Sequence, residues 1–511
     1  MNDNVYPRYE DLTVPTSSWK SLSFETFASD LAKPTSADTW ESLGEERALK
    51  VFHEAARTIP AYADFLVKNA ISVDKIKTIQ DFVLVPETSK KNYISQYPMI
   101  DLIPSGDVTQ IKLIASSSGT TGEPTYWPRG VAQSEESVLI HELFFTHAFQ
   151  IHTRRTLAII AFPFGVYVSG VATAEPLFTL AQKYPITVIT AGLNREGILS
   201  IVREQGKYYD QILLIGHPFF IKDVLERGEE TGVAWRSSEI RIMLCSEMVS
   251  EEWRDYILSL IGQTGNIGAV RNTYGSSELL LMGLETLDAI ALRRNLDAQP
   301  QINQEIFQES IVPSIFQYHP LFRYIESKEK ALLYTSWSGI PLIRYRIEDK
   351  GMVLPQKEFD RMRKQLNLDT VTTPNTEPSW SLPYLALFGR LDKTALFDGI
   401  NIYPEHIHKS LNAPAFLPSI TGKFVIDTRG EGPKLISYLR VNIELKEGIL
   451  PTTNLAQSLA KHIKATLLDI SLEYRFLTQQ VRGDKEPKVI LRKFQDPEFF
   501  PVGVKPRYIR S

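Results

Sequence analysis

Cysteine is all but absent: Cys245 stands alone among 511 residues. One thiol permits no internal disulfide and no thiolate metal cluster, so a reducing compartment, the cytoplasm, is expected. An excess of either charge is lacking too. Lys plus Arg number 56 against 60 Asp plus Glu, a formal charge of −4, which leaves no electrostatic ground for a nucleic-acid or anionic-membrane partner. Long apolar runs are missing. The nearest, Thr156–Ala174, is uncharged but holds Pro163, Gly165, Gly170 and several hydroxyls, whereas a membrane helix needs about 20 mostly apolar residues. It reads instead as a buried strand, a glycine-containing loop and a buried helix. Residues 1–9 lead into no apolar segment, so no signal peptide is expected. With 43% hydrophobic and 23% charged residues, composition excludes collagen-like, disulfide-scaffold and wholly disordered chains. The length allows about three domains.

What is present is an alternation of short apolar runs with longer amphipathic ones. Strands are expected at Ile111–Ala115, Leu157–Phe162, Ile186–Thr190, Gln211–Ile215 and Ile240–Cys245. Helices are expected at Gln133–Gln150, Glu196–Gln205, Phe219–Arg227 and Ser250–Ile261, with one or two more within 43–70. That order predicts an α/β fold in which helices cross between mostly parallel strands. Near Gly389 the pattern changes. A hairpin-like start, a helix near Pro404–Leu411, strands Lys423–Asp427 and Lys434–Glu444, a helix Asn454–Leu468 and a strand Tyr474–Val481 describe a small α+β domain. The predicted division is therefore 1–388, a large α/β domain, and 389–511, a smaller α+β cap. Ala289–Gln304 and Gln356–Ser379 are polar and read as surface excursions.

The densest chemistry lies in Ser116-Ser117-Ser118-Gly119-Thr120-Thr121-Gly122-Glu123-Pro124-Thr125, directly after a strand. Glycines and hydroxyls packed this closely let backbone N–H and side-chain O–H groups converge on phosphate oxygens. A P-loop would need a lysine after the last glycine and an immediate helix. Here no lysine follows Gly122, and Pro124 and Pro128 postpone the helix. The Gly-x-Gly-x-x-Gly dinucleotide fingerprint fails as well.

At this loop the sequence resembles the adenylate-forming enzymes, the acyl-CoA synthetase and adenylation-domain superfamily, and within it the phenylacetate–CoA ligase-like branch. Phe82-Val83-Leu84-Val85-Pro86-Glu87-Thr88-Ser89-Lys90-Lys91 resembles the proline–threonine–lysine segment that precedes the phosphate loop in that branch. The resemblance covers roughly residues 45–511, motif by motif in the expected order.

It implies roles for particular residues. Ser117, Ser118, Gly119, Thr120, Thr121 and Gly122 would cradle the ATP phosphates. Asn272-Thr273-Tyr274-Gly275-Ser276-Ser277-Glu278 resembles the segment that stacks an aromatic on adenine, with Glu278 helping to hold Mg²⁺, a hard cation suited to carboxylate and phosphate oxygens. Ser246-Glu247-Met248 resembles the adenine-contacting turn, and Asp349, closing Pro341–Asp349, the aspartate on the ribose hydroxyls. Many relatives have Thr-Gly-Asp where this chain has Ile347-Glu348-Asp349. Asp392, in Gly389-Arg390-Leu391-Asp392-Lys393, resembles the hinge about which the small domain rotates, Arg390 of the same segment would be a nucleotide-binding residue, and Gly399 resembles the lining of the thiol tunnel. Lys505 resembles the C-terminal lysine that neutralises charge at the α-phosphate. Relatives usually show Gly-Lys adjacent, whereas Val504 intervenes here, and Lys488 is the second candidate. Phe162, Phe164, Tyr167, His217 and Phe219 fall where family substrate walls lie; as residues alone they also read as core.

The implied reaction has two halves. A carboxylate attacks the α-phosphate of ATP·Mg²⁺ and pyrophosphate leaves; a thiol, of coenzyme A or of phosphopantetheine on a carrier protein, then displaces AMP. Catalytic weight would fall on Thr120, Glu278 and Lys505. An aryl or other apolar acid is the expected substrate. Loading of a carrier protein or an amine, and nucleotidyl transfer without thioester formation, remain open alternatives, and a homodimer is allowed.

Overall fold

The strands Thr156–Ala161 and Gln211–Gly216 are buried at every position, as unalternating apolar runs require in a sheet covered on both faces. They lie in a computed structural model that describes residues 37–117, 125–165, 168–309, 311–368, 380–390, 395–411, 413–428, 430, 432, 436–480, 485–500 and 509–510. These residues divide into two compact units, the first drawn from 1–117, 126–216 and 223–389, the second from 118–125, 217–222 and 390–511.

The first unit is built on an 11-stranded sheet. In chain order, a short pair β1 (Leu113–Ser117) and β2 (Thr125–Arg129) precedes it; the sheet itself comprises β3 (Thr156–Ala161), β4 (Ile186–Ile189), β5 (Gln211–Gly216), β6 (Ile240–Cys245), β7 (Val270–Ser276), β8 (Leu280–Leu284), β9 (Ser314–Tyr318), β10 (Tyr324–Lys328), β11 (Ala331–Ser336), β12 (Leu342–Leu354) and β13 (Tyr384–Arg390). Their spatial order is β10-β11-β12-β13-β9-β8-β7-β6-β5-β3-β4. Strands β4, β3, β5, β6 and β7 pair in parallel. From β7 onward β8, β9 and β13 join antiparallel, as do β10, β11 and β12 at the far edge. The α/β class is as expected, but the sheet is mixed and its parallel part is only one side.

Helices cover both regions. Ala37–Thr58 and Pro60–Lys68 bury Phe52, Tyr62 and Phe65 against Tyr274, Phe316 and Tyr334. Val131–Phe149 and Val168–Leu180 bury Phe144, Phe145 and Leu177 against Ile160, Ile215 and Met243. Each such aliphatic or aromatic side chain withdrawn from water contributes about 1.5–3 kcal/mol. The two polar excursions are corrected: Leu287–Ala298, Pro300–Phe307 and Gln356–Gln365 are helices, and Leu292, Leu296, Phe307, Phe359 and Met362 share a core with Tyr384 and Phe388. Few apolar residues at helical spacing suffice to anchor a helix whose other face is solvated.

The second unit carries a hairpin, β14 (Ala395–Phe397) and β15 (Ile400–Ile402), and a four-stranded sheet of β16 (Ile420–Asp427), β17 (Arg440–Leu445), β18 (Lys488–Arg492) and β19 (Ile509–Arg510) in the order β18-β17-β16-β19. Leu459, Ile463 and Leu467 of helix Thr453–Ile470 are fully buried. The strand expected at Tyr474–Val481 is instead the helix Leu472–Gln480. Ser471 decides it: its Oγ accepts from Tyr474 N–H at 3.1 Å, and its carbonyl from Arg475 N–H. Such a cap outweighs the β preference of the aromatics that follow. Among the described residues no helix is long and apolar enough to cross a membrane.

Two histidines of the first unit are buried neutral. Burial pushes His141 down to about 4, although its Nδ1 lies 2.7 Å from Ser137 O. It pushes His319 down to about 3. In the unfolded chain both titrate near 6.5, so between these limits only the unfolded state takes the proton, and stability is lost as pH falls. The expected slope approaches about 1.4 kcal/mol per pH unit for each histidine. Urea midpoints measured from pH 7 to 4.5 should fall accordingly, and His319→Gln should flatten the dependence.

Candidate active site

The segment before the phosphate loop is stitched to β12. Thr88 Oγ1 donates to Ile343 O at 2.8 Å, Thr88 N–H to Arg344 O at 3.2 Å, and Arg346 N–H returns a bond to Thr88 O at 2.9 Å. Arg344 gives Nη1 to the carbonyls of Val83 and Val85, both at 2.6 Å, while its Nε holds Glu326. A guanidinium with a fixed fork of donors can tie two carbonyls and a carboxylate together at once. This anchoring brings Lys90 Nζ to 3.8 Å from Glu278 Oε1 and to 5.9 Å from the Trp127 ring centroid.

Glu278 sits in the tight connection between β7 and β8 and is only 6% exposed. Gly275 is required there, since a Cβ would lie 2.8 Å from Leu280 O. Ser276 Oγ accepts from Leu279 N–H at 3.2 Å. A carboxylate this shielded, with an ammonium beside it, suits a site that exchanges one cation for another. The donor set fits Mg²⁺ shared with phosphate oxygens, for which one protein carboxylate is enough.

Tyr274 and Asp349 meet as well. The Tyr274 hydroxyl donates to Asp349 Oδ2 and lies 2.7 Å from Tyr334 Oη, and its ring stacks 5.7 Å from Phe316. Burial, with the Asp349 charge second, pushes the Tyr274 phenol well above its ordinary range, so it stays a donor. One carboxylate oxygen of Asp349 is thereby oriented from within the core. Tyr274→Phe removes that bond; if Asp349 holds the ribose as the resemblance implies, about a tenfold rise in KM for ATP with little change in kcat is expected from saturation kinetics.

Asp349 follows Glu348, whose φ is +66°. That left-handed geometry is strained for a residue with a side chain. At the end of β6, Ser246 is also left-handed, with φ +85°. The next carbonyl, of Glu247, accepts from Asn272 Nδ2 at 2.8 Å, and Thr273 Oγ1 donates to Leu244 O at 2.6 Å. The turn is in this way tied through Leu244 and Glu247 to Asn272 and Thr273 on the neighbouring strand. Below them Glu285 Oε2 accepts from Asn272 N–H and from the fully buried Arg254, both at 2.8 Å.

The site therefore assembles from segments near 88, 246, 275 and 349, an order and spacing that can be compared with known proteins. Over 473 residues the chain is 21% identical to the phenylacetate–coenzyme A ligase of Aromatoleum evansii, covering 90% of this chain and 96% of that protein. The Escherichia coli K12 phenylacetate–coenzyme A ligase is 21% identical over 443 residues, 83% of this chain and 87% of its own. A crystal structure of 2-hydroxyisobutyryl-CoA ligase with 2-HIB-AMP and CoA in the thioesterification state superposes with a TM-score of 0.63 at 15% identity, covering 94% of this chain and 91% of that one. The chain has the fold of the adenylate-forming ligases. Its sequence is similar to the phenylacetate–CoA ligase-like branch along most of its length. No protein-family model matches it.

Of the remaining candidates in this adenylate-forming fold, Ser117 closes β1, while Ser118, Gly119, Thr120, Thr121 and Gly122 lie outside the described residues, as do Tyr167, Asp392 and Lys505. Phe162 is 1% exposed in the core of the first unit, and Phe164 packs against that core. His217 opens the helix Pro218–Glu230, its carbonyl accepting from Phe220 and Ile221 N–H; Phe219 is in that helix, its side chain not described. Arg390 ends β13. Asp398 and Gly399, with φ of +46° and +82°, form the two-residue turn of the β14–β15 hairpin, where Lys485 Nζ meets Asp398 Oδ2 at 2.6 Å. Lys488 Nζ lies 3.3 Å from the Tyr438 ring centroid. Sequence reasoning missed Arg344, Arg129 and Arg323; the one available signal was a charged residue set among buried apolar ones, as in Trp127-Pro128-Arg129.

Proposed function

We propose that the protein is an ATP-dependent acid–thiol ligase that forms an acyl-adenylate and then a thioester with coenzyme A. The observation that carries this reading is the meeting of three remote segments in the first unit: Thr88 on Arg344 and Arg346, Lys90 beside Glu278, and Tyr274 on Asp349. In the first half-reaction the acid's carboxylate oxygen bonds to the α-phosphorus of ATP and pyrophosphate leaves. In the second, the thiolate of coenzyme A attacks the acyl carbon and AMP leaves.

Asp349, oriented by Tyr274, accepts from the ribose hydroxyls, and the turn Ser246–Met248 borders the adenine. Glu278 would hold Mg²⁺, which when bound neutralises charge on the triphosphate. Thr120 and Thr121 hydrogen-bond the phosphates, and Lys505 stabilises the charge that grows at the α-phosphate. Asp392 is the hinge and Gly399 borders the thiol's path. Reactions of this kind ask the protein for positioning and charge neutralisation more than for covalent participation.

An aromatic or other apolar acid is the proposed substrate. Phe164, partly buried just after β3, supplies aromatic surface, and the relatives named phenylacetate–coenzyme A ligase agree in class. The test is acid-dependent exchange of labelled pyrophosphate into ATP over a panel of carboxylic acids. Exchange with aryl acids, followed by AMP release on adding coenzyme A, is expected. No exchange with any acid would sink the adenylation reading. Preference for short polar acids would remove the aromatic one, and a stable AMP-modified product would identify nucleotidyl transfer instead.

A further inference from the structure

Three consecutive backbone carbonyls, those of Ser277, Glu278 and Leu279, are held by two buried guanidiniums. Arg129 donates from Nη2 to Ser277 O and from Nη1 to Glu278 O at 3.0 Å and Ser338 Oγ at 2.7 Å. Ser338 Oγ donates onward to Glu278 O at 2.7 Å. Arg323 donates from Nε and Nη2 to Leu279 O and pairs through Nη1 with Glu136. Gly339 makes the arrangement possible: a Cβ there would sit 1.5 Å from Pro128 O, so only glycine lets β2 pass close enough to set Arg129 beside Ser338.

Arg129 is 3% exposed, the hydrogen bonds of its fork go to uncharged oxygens, and its Nε has no hydrogen-bond partner among the described residues. Burial, with Arg323 nearby, pulls its guanidinium down to about 10, while the Glu278 and Glu136 charges oppose that shift. A buried charge arranged in this way is unfavourable for folding. Placed under the one carboxylate of the turn, it has a use.

We infer that Arg129, acting through Ser338 and the backbone of Ser277 and Glu278, is a positioning residue that aims the Glu278 carboxylate at the divalent cation of the nucleotide complex. The inference rests on the reading of Glu278 as the cation's ligand. Lysine cannot replace the fork, because an ammonium offers no fixed pair of donors to two successive carbonyls.

The experiment titrates Mn²⁺ into the full chain with α,β-methylene-ATP and reads free Mn²⁺ by electron paramagnetic resonance. R129K and R129M should each weaken Mn²⁺ binding about tenfold or more, and S338A about threefold. In an E278Q background each loss should shrink below about twofold, since a residue acting only through Glu278 then has nothing to act on. Should R129M fail to fold, S338A, which removes one hydroxyl, carries the comparison. Wild-type affinity in R129K and S338A, or losses undiminished with E278Q, would overturn the inference. Normal Mn²⁺ binding without acid-dependent pyrophosphate exchange would overturn the function proposed above and leave this inference standing.

Discussion

Glu278→Gln is expected to lower acid-dependent pyrophosphate exchange by about 10²–10³-fold, the range seen when one pre-aligned charge-stabilising group is lost. The reason lies in what the substitution leaves alone. Ser277, Glu278 and Leu279 are held by their backbone carbonyls, so glutamine keeps the turn and removes only the charge. Lys90, 3.8 Å away, loses this ion pair, and the cation loses its carboxylate. Because the Lys90 ammonium is partly solvated, the ion pair itself contributes under about 1 kcal/mol, and the unfolding midpoint should hardly move. A large loss of exchange with an unchanged midpoint is the signature. Exchange within fivefold of wild type would move the metal role elsewhere.

Lys505→Ala is expected to be as damaging, but to one half-reaction only. An ammonium that neutralises charge at the α-phosphate contributes to adenylation and has no part in displacing AMP by a thiol. Exchange should fall about 10²–10³-fold, whereas thioester formation from a supplied acyl-adenylate should stay within about threefold. Lys488→Ala is the control. Its ammonium lies over the Tyr438 ring at 3.3 Å, a surface cation–π contact of about 0.5–1 kcal/mol, and both half-reactions should persist. If Lys488→Ala abolishes exchange and Lys505→Ala does not, the two lysines exchange roles.

Much of the scaffold was legible because period and composition agree there. Ile240–Cys245 and Pro404–Leu411 are where they were expected, since each is a short apolar or amphipathic run bounded by residues that stop it. Legibility failed where a local device overrode propensity. Ser471 capped Leu472–Gln480 into a helix although Tyr474 and Phe476 favour a strand. It failed again where a few apolar residues anchored a polar stretch, as Phe359 and Met362 do for Gln356–Gln365. In the site, Tyr274, Glu278 and Asp349 were visible because their chemistry is carried by residue type within a motif. Arg129 and Arg323 were not, because their partners stand 148 and 44 residues away, and no local pattern records a contact of that range.

Cys245 is a partly buried thiol whose pKa burial pushes up. By itself the sequence determined which groups are available, a glycine-rich loop and the carboxylates Glu278 and Asp349 within their motifs, because residue type and short spacing suffice to specify them. Only the tertiary structure decided how they are aimed. Orientation depends on hydrogen bonds to backbone carbonyls, which every residue possesses and no residue name reveals. The Arg129 fork on the Ser277 and Glu278 carbonyls consists of such bonds, and the Tyr274 hydroxyl on the Asp349 carboxylate spans the chain in the same way; both exist only once segments distant in the chain are brought together.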